Sequence, residues 1–93
     1  GDPKSFRELA DAVATARNFI QGNTYQRLVI IQSLKDDRSG ALKLIELVLL
    51  LLRRSLASSP GSHSVDLMKS LIEASEAIRA NGNIRIQLMN AVV

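Results

Sequence analysis

The sequence predicts an all-α fold, a compact bundle of about five helices with a long, leucine-rich third helix at its centre. Apolar residues recur every three or four positions along most of the chain, which is typical of amphipathic helices. The composition, 46% hydrophobic but only 3% aromatic, suits one modest aliphatic core. At 93 residues the chain is therefore expected to form a single domain, residues 1–93.

The first two predicted helices are marked by their caps. Asp2 can cap the first helix, Pro3 fits its first position, and Gly22 suits its C-terminal end. Either Asn23 or Thr24 caps the second helix. The apolar stripe of the first helix comprises Phe6, Leu9, Ala10, Val13, Ala16 and Ile20, and that of the second comprises Leu28, Ile31 and Leu34.

The third predicted helix begins near residues 37–39 and ends near Leu56. Leucines on several sides make it apolar nearly all round, so it should be central to its domain or covered by another molecule. Its uninterrupted apolar run, residues 47–52, is far shorter than the roughly 20 residues that span a membrane. No membrane association is expected, and the absence of cysteine fits a cytoplasmic location. The main stripe comprises Leu42, Ile45, Val48, Leu49, Leu52 and Leu56.

Residues 57–64, rich in Ser, Pro and Gly, are predicted to form a surface loop. Ser64 is expected to cap a fourth helix that ends near Ala80. The face of this helix comprises Val65, Met68, Leu71, Ile72, Ser75 and either Ile78 or Arg79.

The last segment, "NGNIRIQLMNAVV", alternates apolar and polar residues as a strand would. A lone strand has no partner for its backbone hydrogen bonds, so a final helix is the preferred interpretation. Gly82 then takes the left-handed position after the fourth helix, and Asn83 caps the fifth, with Asn81 beside them. Two apolar ladders would line this helix, one with Ile84, Leu88 and Val92 and one with Ile86, Met89 and Val93.

Arg85 stands out because it would be the second residue of the final helix, where positive charge opposes the helix dipole. The preferred interpretation is an internal ion pair with Glu73 or Glu76 on the fourth helix. The alternative is an acidic residue on a neighbouring protein.

The sequence has none of the common catalytic or ligand-binding patterns. The sequence has no Gly-rich phosphate-binding motif, no cysteine and a single histidine, His63, in the loop-like stretch. Asp36 and Asp37 are adjacent and therefore suit a turn and a helix cap better than a catalytic pair. We expect no enzyme activity, no cofactor and no metal.

Arg53 and Arg54 follow the leucine run and are the other surface candidates. A solvated pair near a helix C-terminus is the preferred interpretation, and contact with phosphate is the alternative. The net charge of +3 and pI of about 9.8 leave a small helical nucleic-acid-binding domain as an alternative function. Interspersed acidic residues and the lack of an aromatic platform argue against direct DNA contact.

Residues 72–93 resemble the end of the C-terminal domain of bacterial DNA polymerase III clamp-loader delta-prime subunits. In that family the last two helices meet at Asn-x-Asn-Pro-Arg, and an aliphatic helix follows. Ile84 replaces the usual proline of this pattern, and Met89 replaces the usual acid. Residues 25–56 resemble the earlier helices of the family more loosely. The positions that match the junction pattern are Asn81, Asn83, Arg85, Ile86, Leu88 and Asn90.

The resemblance implies an assembly role. In the family this helical domain joins those of neighbouring subunits in a collar, which holds the clamp loader together while it places the sliding clamp on primed DNA. By this resemblance, the chain is the C-terminal oligomerisation domain of a longer subunit. Its partners are the other clamp-loader subunits, through their C-terminal helical domains.

Overall fold

Five α-helices make up nearly all of the computed structural model, which describes residues 3–58 and 61–92. They are α1 (Pro3–Gln21), α2 (Thr24–Ser33), α3 (Arg38–Ser58), α4 (Ser62–Arg79) and α5 (Ile84–Val92). No strand occurs among these residues, so the predicted all-α bundle is confirmed, and so is the final helix. Within the described ranges, no helix is long and apolar enough to cross a bilayer. The predicted Asp2 cap lies outside the described residues.

The main contacts between helices form a closed ring around one core. In that ring α1 packs on α2, α2 on α5, α5 on α4, α4 on α3, and α3 on α1. The central role of α3 is confirmed, because it is the longest of these helices and contributes six buried residues. Those residues are Ala41, Leu44, Ile45, Val48, Leu49 and Leu52.

The outer side of α3 is more polar than the sequence analysis predicted. Lys43, Glu46 and Arg53 are exposed there, and Leu50 is half-exposed. The leucines that lie between the buried side and the outer side of α3 are only partly buried. The helix is therefore amphipathic, with one broad buried face, rather than covered on all sides.

Side-chain caps set the starts of α2 and α3. Asn23, not Thr24, caps α2: its Oδ1 accepts from the Gln26 amide at 2.8 Å, and Gln26 Oε1 accepts from the Asn23 amide at 2.9 Å. At α3, Asp37 Oδ1 accepts from the Gly40 amide at 2.9 Å. The aspartate turn thus has the capping role that its sequence predicts.

The connection between α3 and α4 is shorter than predicted. α3 continues to Ser58 and α4 begins at Ser62, so Ser64 lies inside the first turn and is not its cap. Serine is unfavourable in a helix interior but compatible with a first turn, so the serine-rich composition does not stop either helix. The side chain of His63 lies outside the described residues.

Gly61 occupies the N-cap position of α4 in extended backbone and provides no side-chain hydrogen bond. A Cβ atom added there would meet no atom within 4 Å. We expect Gly61→Ser to raise the free energy of unfolding by about 0.5–1 kcal/mol, because it adds a cap and restricts the unfolded chain. Urea denaturation followed by circular dichroism measures the change, and an unchanged or lower stability would contradict it.

The buried face of α4 also differs from the predicted one. Val65 and Ile72 are exposed, whereas Leu71 and Ile78 are fully buried and Ala74 nearly so. The face toward the ring is therefore centred on positions 71, 74 and 78, at helical spacing. Ser75 is buried as predicted, and its hydroxyl donates to the Ile72 carbonyl at 2.7 Å.

Candidate interaction surface

The junction between α4 and α5 is a Schellman motif. The Gly82 amide donates to the Ala77 carbonyl at 2.7 Å, and the Asn81 amide donates to the Ile78 carbonyl at 3.1 Å. Asn81, with φ of 69°, is the left-handed residue. The prediction that Gly82 takes this conformation is therefore wrong; asparagine tolerates it because its short polar side chain bonds locally.

Glycine is needed at positions 82 and 22 because a side chain would not fit there, not because of the backbone dihedral angles. A Cβ atom on Gly82 would lie 2.6 Å from the Ala77 carbonyl oxygen, and one on Gly22 would lie 2.6 Å from the Asn18 carbonyl oxygen. Neither glycine has a positive φ. Both helix ends therefore need a residue without a side chain where the chain passes close to its own last turn.

Asn83 caps α5 as predicted, since its Oδ1 accepts from the Ile86 amide at 3.0 Å. Of the two predicted ladders of α5, the first is confirmed: Ile84 and Leu88 are buried and Val92 is half-buried. In the second ladder Ile86 is 52% exposed. Met89 is half-buried, and Val93 lies outside the described residues.

Removal of this cap gives a testable change. Asn83→Ala should lower the free energy of unfolding by about 1 kcal/mol, because the Ile86 amide loses its acceptor. Thermal denaturation followed by circular dichroism measures the loss. Asn90→Ala, at an exposed position late in the same helix, is the control and should change stability little.

The three candidate arginines are all exposed. Because Arg85 is exposed, burial does not require an internal counter-charge for it. Arg53 and Arg54 lie before the last turn of α3, which extends to Ser58, so the predicted benefit from the helix dipole is small.

These candidates do not form one site. Asn81, Asn83 and Arg85 lie together at the α4–α5 junction. Arg53 and Arg54 lie toward the end of α3, which connects to the start of α4. The two groups thus lie toward opposite ends of α4, whose 18 residues are about 27 Å long.

Arg27 has a structural role that was not predicted from the sequence. Its Nε donates to the Phe19 carbonyl at 2.7 Å, and its Nη2 donates to the Ile20 carbonyl at 2.8 Å. Its Cζ lies 5.8 Å from the centre of the Phe19 ring. Arg27 thus satisfies carbonyls at the end of α1 from the neighbouring helix. A basic residue shortly after a helix end was the only sequence signal for this role.

Among the described residues, four of the eight large apolar side chains that are exposed lie on the first two helices. In α1, residues 6–11 are all exposed, and Phe6 is 75% and Leu9 57% accessible. On α2, Tyr25 is 74% and Val29 52% accessible. We call Phe6, Leu9, Val13, Tyr25 and Val29 the α1–α2 face. The predicted stripe of α1 is therefore buried only in its second half, at Ala16 and partly at Ile20, and Phe19, which the predicted stripe left out, is fully buried.

Shallow hollows connect the parts of this surface. One hollow is lined by residues of α1 from Phe6 to Gln21, and a second is lined by Tyr25, Val29 and the end of α1. Asn18 and Gln21 line both, so the two hollows adjoin at polar side chains. Exposed apolar side chains beside open hollows are typical of a docking site for another protein.

Within the described part of the chain, no group of three or more His, Asp or Glu side chains could hold a metal ion. Comparisons with protein-family models, with curated proteins and with solved structures gave no match.

Proposed function

We propose that this chain is a protein–protein assembly domain, the collar domain of a bacterial DNA polymerase III clamp loader that supports sliding-clamp loading in DNA replication. It has no catalytic role of its own in this proposal, and it acts in the cytoplasm. The identity of the complex is supported by the resemblance of residues 72–93 to delta-prime subunits. The assembly role is supported by the exposed α1–α2 face.

The position of the exposed residues supports the same conclusion. Residues 6–11 form more than one turn of α1 that has no buried side chain, although Phe6 and Leu9 are apolar. An apolar helical stripe is usually covered in the working form of a protein. We infer that a helix of a neighbouring subunit covers it.

The asparagines of the junction have local roles, one in the Schellman motif and one in the cap. They fix the angle between α4 and α5 and need no partner to explain them. The proposal therefore rests on the α1–α2 face. The other predicted contact residues, Arg85, Arg53 and Arg54, are not part of that face.

Co-assembly with purified clamp-loader subunits tests the proposal. The chain should elute with them in size-exclusion chromatography, and Leu9→Glu should abolish co-elution. The control is Leu50→Glu on the outer side of α3, because Leu50 is 49% exposed but lies away from the α1–α2 face. A folded chain that elutes alone, or equal binding by the two variants, would contradict the proposal.

The alternative function, nucleic-acid binding, makes a different prediction. Basic and acidic residues alternate on the outer side of α3, where Lys43 and Arg53 flank Glu46. We therefore expect no saturable binding to short single- or double-stranded DNA in a fluorescence anisotropy titration at low salt. Binding that weakens steeply with added salt would support the alternative instead.

A further inference from the structure

We propose that the Asn81–Gly82 pair is a site of spontaneous deamidation, and that the Schellman motif between α4 and α5 controls the rate of this modification. The modification concerns the chain itself and does not depend on the proposed function. Three observations carry it: the order of the two residues, the exposure of Asn81, and the hydrogen bond that holds the reacting nitrogen of Gly82.

The reaction is intramolecular and needs only water. The backbone nitrogen of Gly82 loses its proton and attacks Cγ of Asn81. The new C–N bond closes a succinimide ring, and the side-chain nitrogen leaves as ammonia. Water then opens the ring: attack at Cγ gives aspartate, and attack at the main-chain carbonyl gives isoaspartate, in which the backbone continues through the side chain. Nothing is oxidised or reduced, because an amide is hydrolysed to an acid and ammonia.

Asn81 is the asparagine best suited to this reaction. It is the only asparagine in the chain that glycine follows, and glycine has no side chain to hinder the attacking nitrogen. Asn81 is also exposed, so water reaches it. The side chains of Asn23 and Asn83, by contrast, are held in place as helix caps.

The folded junction restrains the attacking nitrogen. The Gly82 amide donates to the Ala77 carbonyl at 2.7 Å. Because the nitrogen of a succinimide carries no hydrogen, this bond must break before the ring can close. Gly82 is only half-exposed, and a Cβ atom on it would lie 2.6 Å from the Ala77 oxygen, so the closed motif also leaves little room for the ring. The reaction therefore proceeds from a junction that has opened locally.

Isoaspartate breaks the motif permanently. It adds a methylene to the main chain between positions 81 and 82, so the Gly82 amide no longer follows the same path to the Ala77 carbonyl. It also places a carboxylate just after the last turn of α4, where the helix dipole is negative. Because α5 packs on both α4 and α2, a looser junction weakens two contacts of the ring.

Peptide mapping by mass spectrometry tests the site. Trypsin cleaves after arginine and should release residues 80–85, which contain both Asn81 and Asn83. After incubation at mildly alkaline pH, the conversion of amide to acid should appear at Asn81. Asn83 is the internal control in the same peptide and should stay unchanged, because isoleucine follows it.

The control by the motif is tested by comparing the folded chain with the chain unfolded in urea. The unfolded chain should deamidate at least about tenfold faster, since a tenfold change corresponds to the free energy of about one hydrogen bond. A synthetic peptide of residues 80–85, incubated with and without urea, corrects for any effect of urea on the chemistry.

Variants of α5 change how easily the junction opens. Asn83→Ala removes the cap of α5 and should speed deamidation of the folded chain by about fivefold, relative to the same variant in urea. Asn90→Ala, at an exposed position late in α5, is the control and should leave the rate unchanged. The isoaspartate form, separated by ion exchange, should unfold at lower urea than Asn81→Asp, which has the same charge on an ordinary backbone.

The opposite results overturn the inference. An unfolded chain without deamidation at Asn81, or with equal deamidation at Asn83, overturns the site. Equal rates in the folded and unfolded chains, or an Asn83→Ala variant no faster than the unchanged chain, overturn the control by the motif. An isoaspartate form as stable as Asn81→Asp overturns the structural consequence. Co-assembly is measured on unmodified chain, so these results and the proposed function are judged separately.

Discussion

Phe19→Ala is expected to lower the free energy of unfolding by about 3–5 kcal/mol. Phe19 is fully buried in the last turn of α1 and is the largest fully buried side chain. Its loss leaves a cavity that the surrounding aliphatic residues fill only partly. Small domains are stable by about 5–15 kcal/mol in total, so this change removes a large share.

Urea denaturation followed by circular dichroism measures the loss, with Phe6→Ala as the matched control. Both positions are phenylalanines of α1, but Phe6 is 75% exposed and should change stability by less than about 0.5 kcal/mol. If Phe19→Ala does not fold, Phe19→Leu should still fold with a loss below about 2 kcal/mol. Equal effects at positions 6 and 19 would contradict the packing described for α1.

Arg27→Met is expected to cost about 2 kcal/mol, since it removes two charged hydrogen bonds to carbonyls that are partly buried. Methionine keeps most of the apolar stem, so the loss reports the guanidinium. Lysine should not restore the stability, because one ammonium cannot match the fork that reaches the Phe19 and Ile20 carbonyls together.

The control for Arg27 is Arg53→Met, at an exposed position of α3. It should change the urea midpoint little. A double-mutant cycle between Arg27→Met and Phe19→Leu should show coupling, because the two side chains are in contact. If Arg27→Met is as stable as the unchanged chain, water must hydrogen-bond to the carbonyls at the end of α1 as well as the guanidinium does.

The helices and most of their caps could be predicted because each depends on neighbours in sequence. Asn23, Asp37 and Asn83 each accept from an amide three residues ahead, and this spacing is visible in the sequence. The left-handed residue after α4 was assigned to Gly82 instead of Asn81. Glycine is the usual choice at that position, and the close approach to Ala77 that Gly82 requires becomes visible only in the folded chain.

The exposed apolar surface could not be predicted from the sequence. It depends on which part of a periodic apolar stripe packs against another helix of the fold. The stripe of α1 has the same spacing throughout, yet Ala16 is buried and Phe6 is exposed. Likewise, α3 is rich in leucine on several sides, but only the side toward α1 and α4 is buried. The role of Arg27 depends on a contact between helices and has no periodic signal.

The measurement that tests the assembly surface most directly is amide hydrogen exchange, on the chain alone and together with clamp-loader subunits. Alone, the amides of residues 6–14 should exchange faster than those at the centre of α3, because few buried contacts hold the start of α1. With the partner subunits present, residues 6–14 and the start of α2 should become protected. Protection confined to α4 and α5, with α1 unchanged, would contradict the assignment of the α1–α2 face.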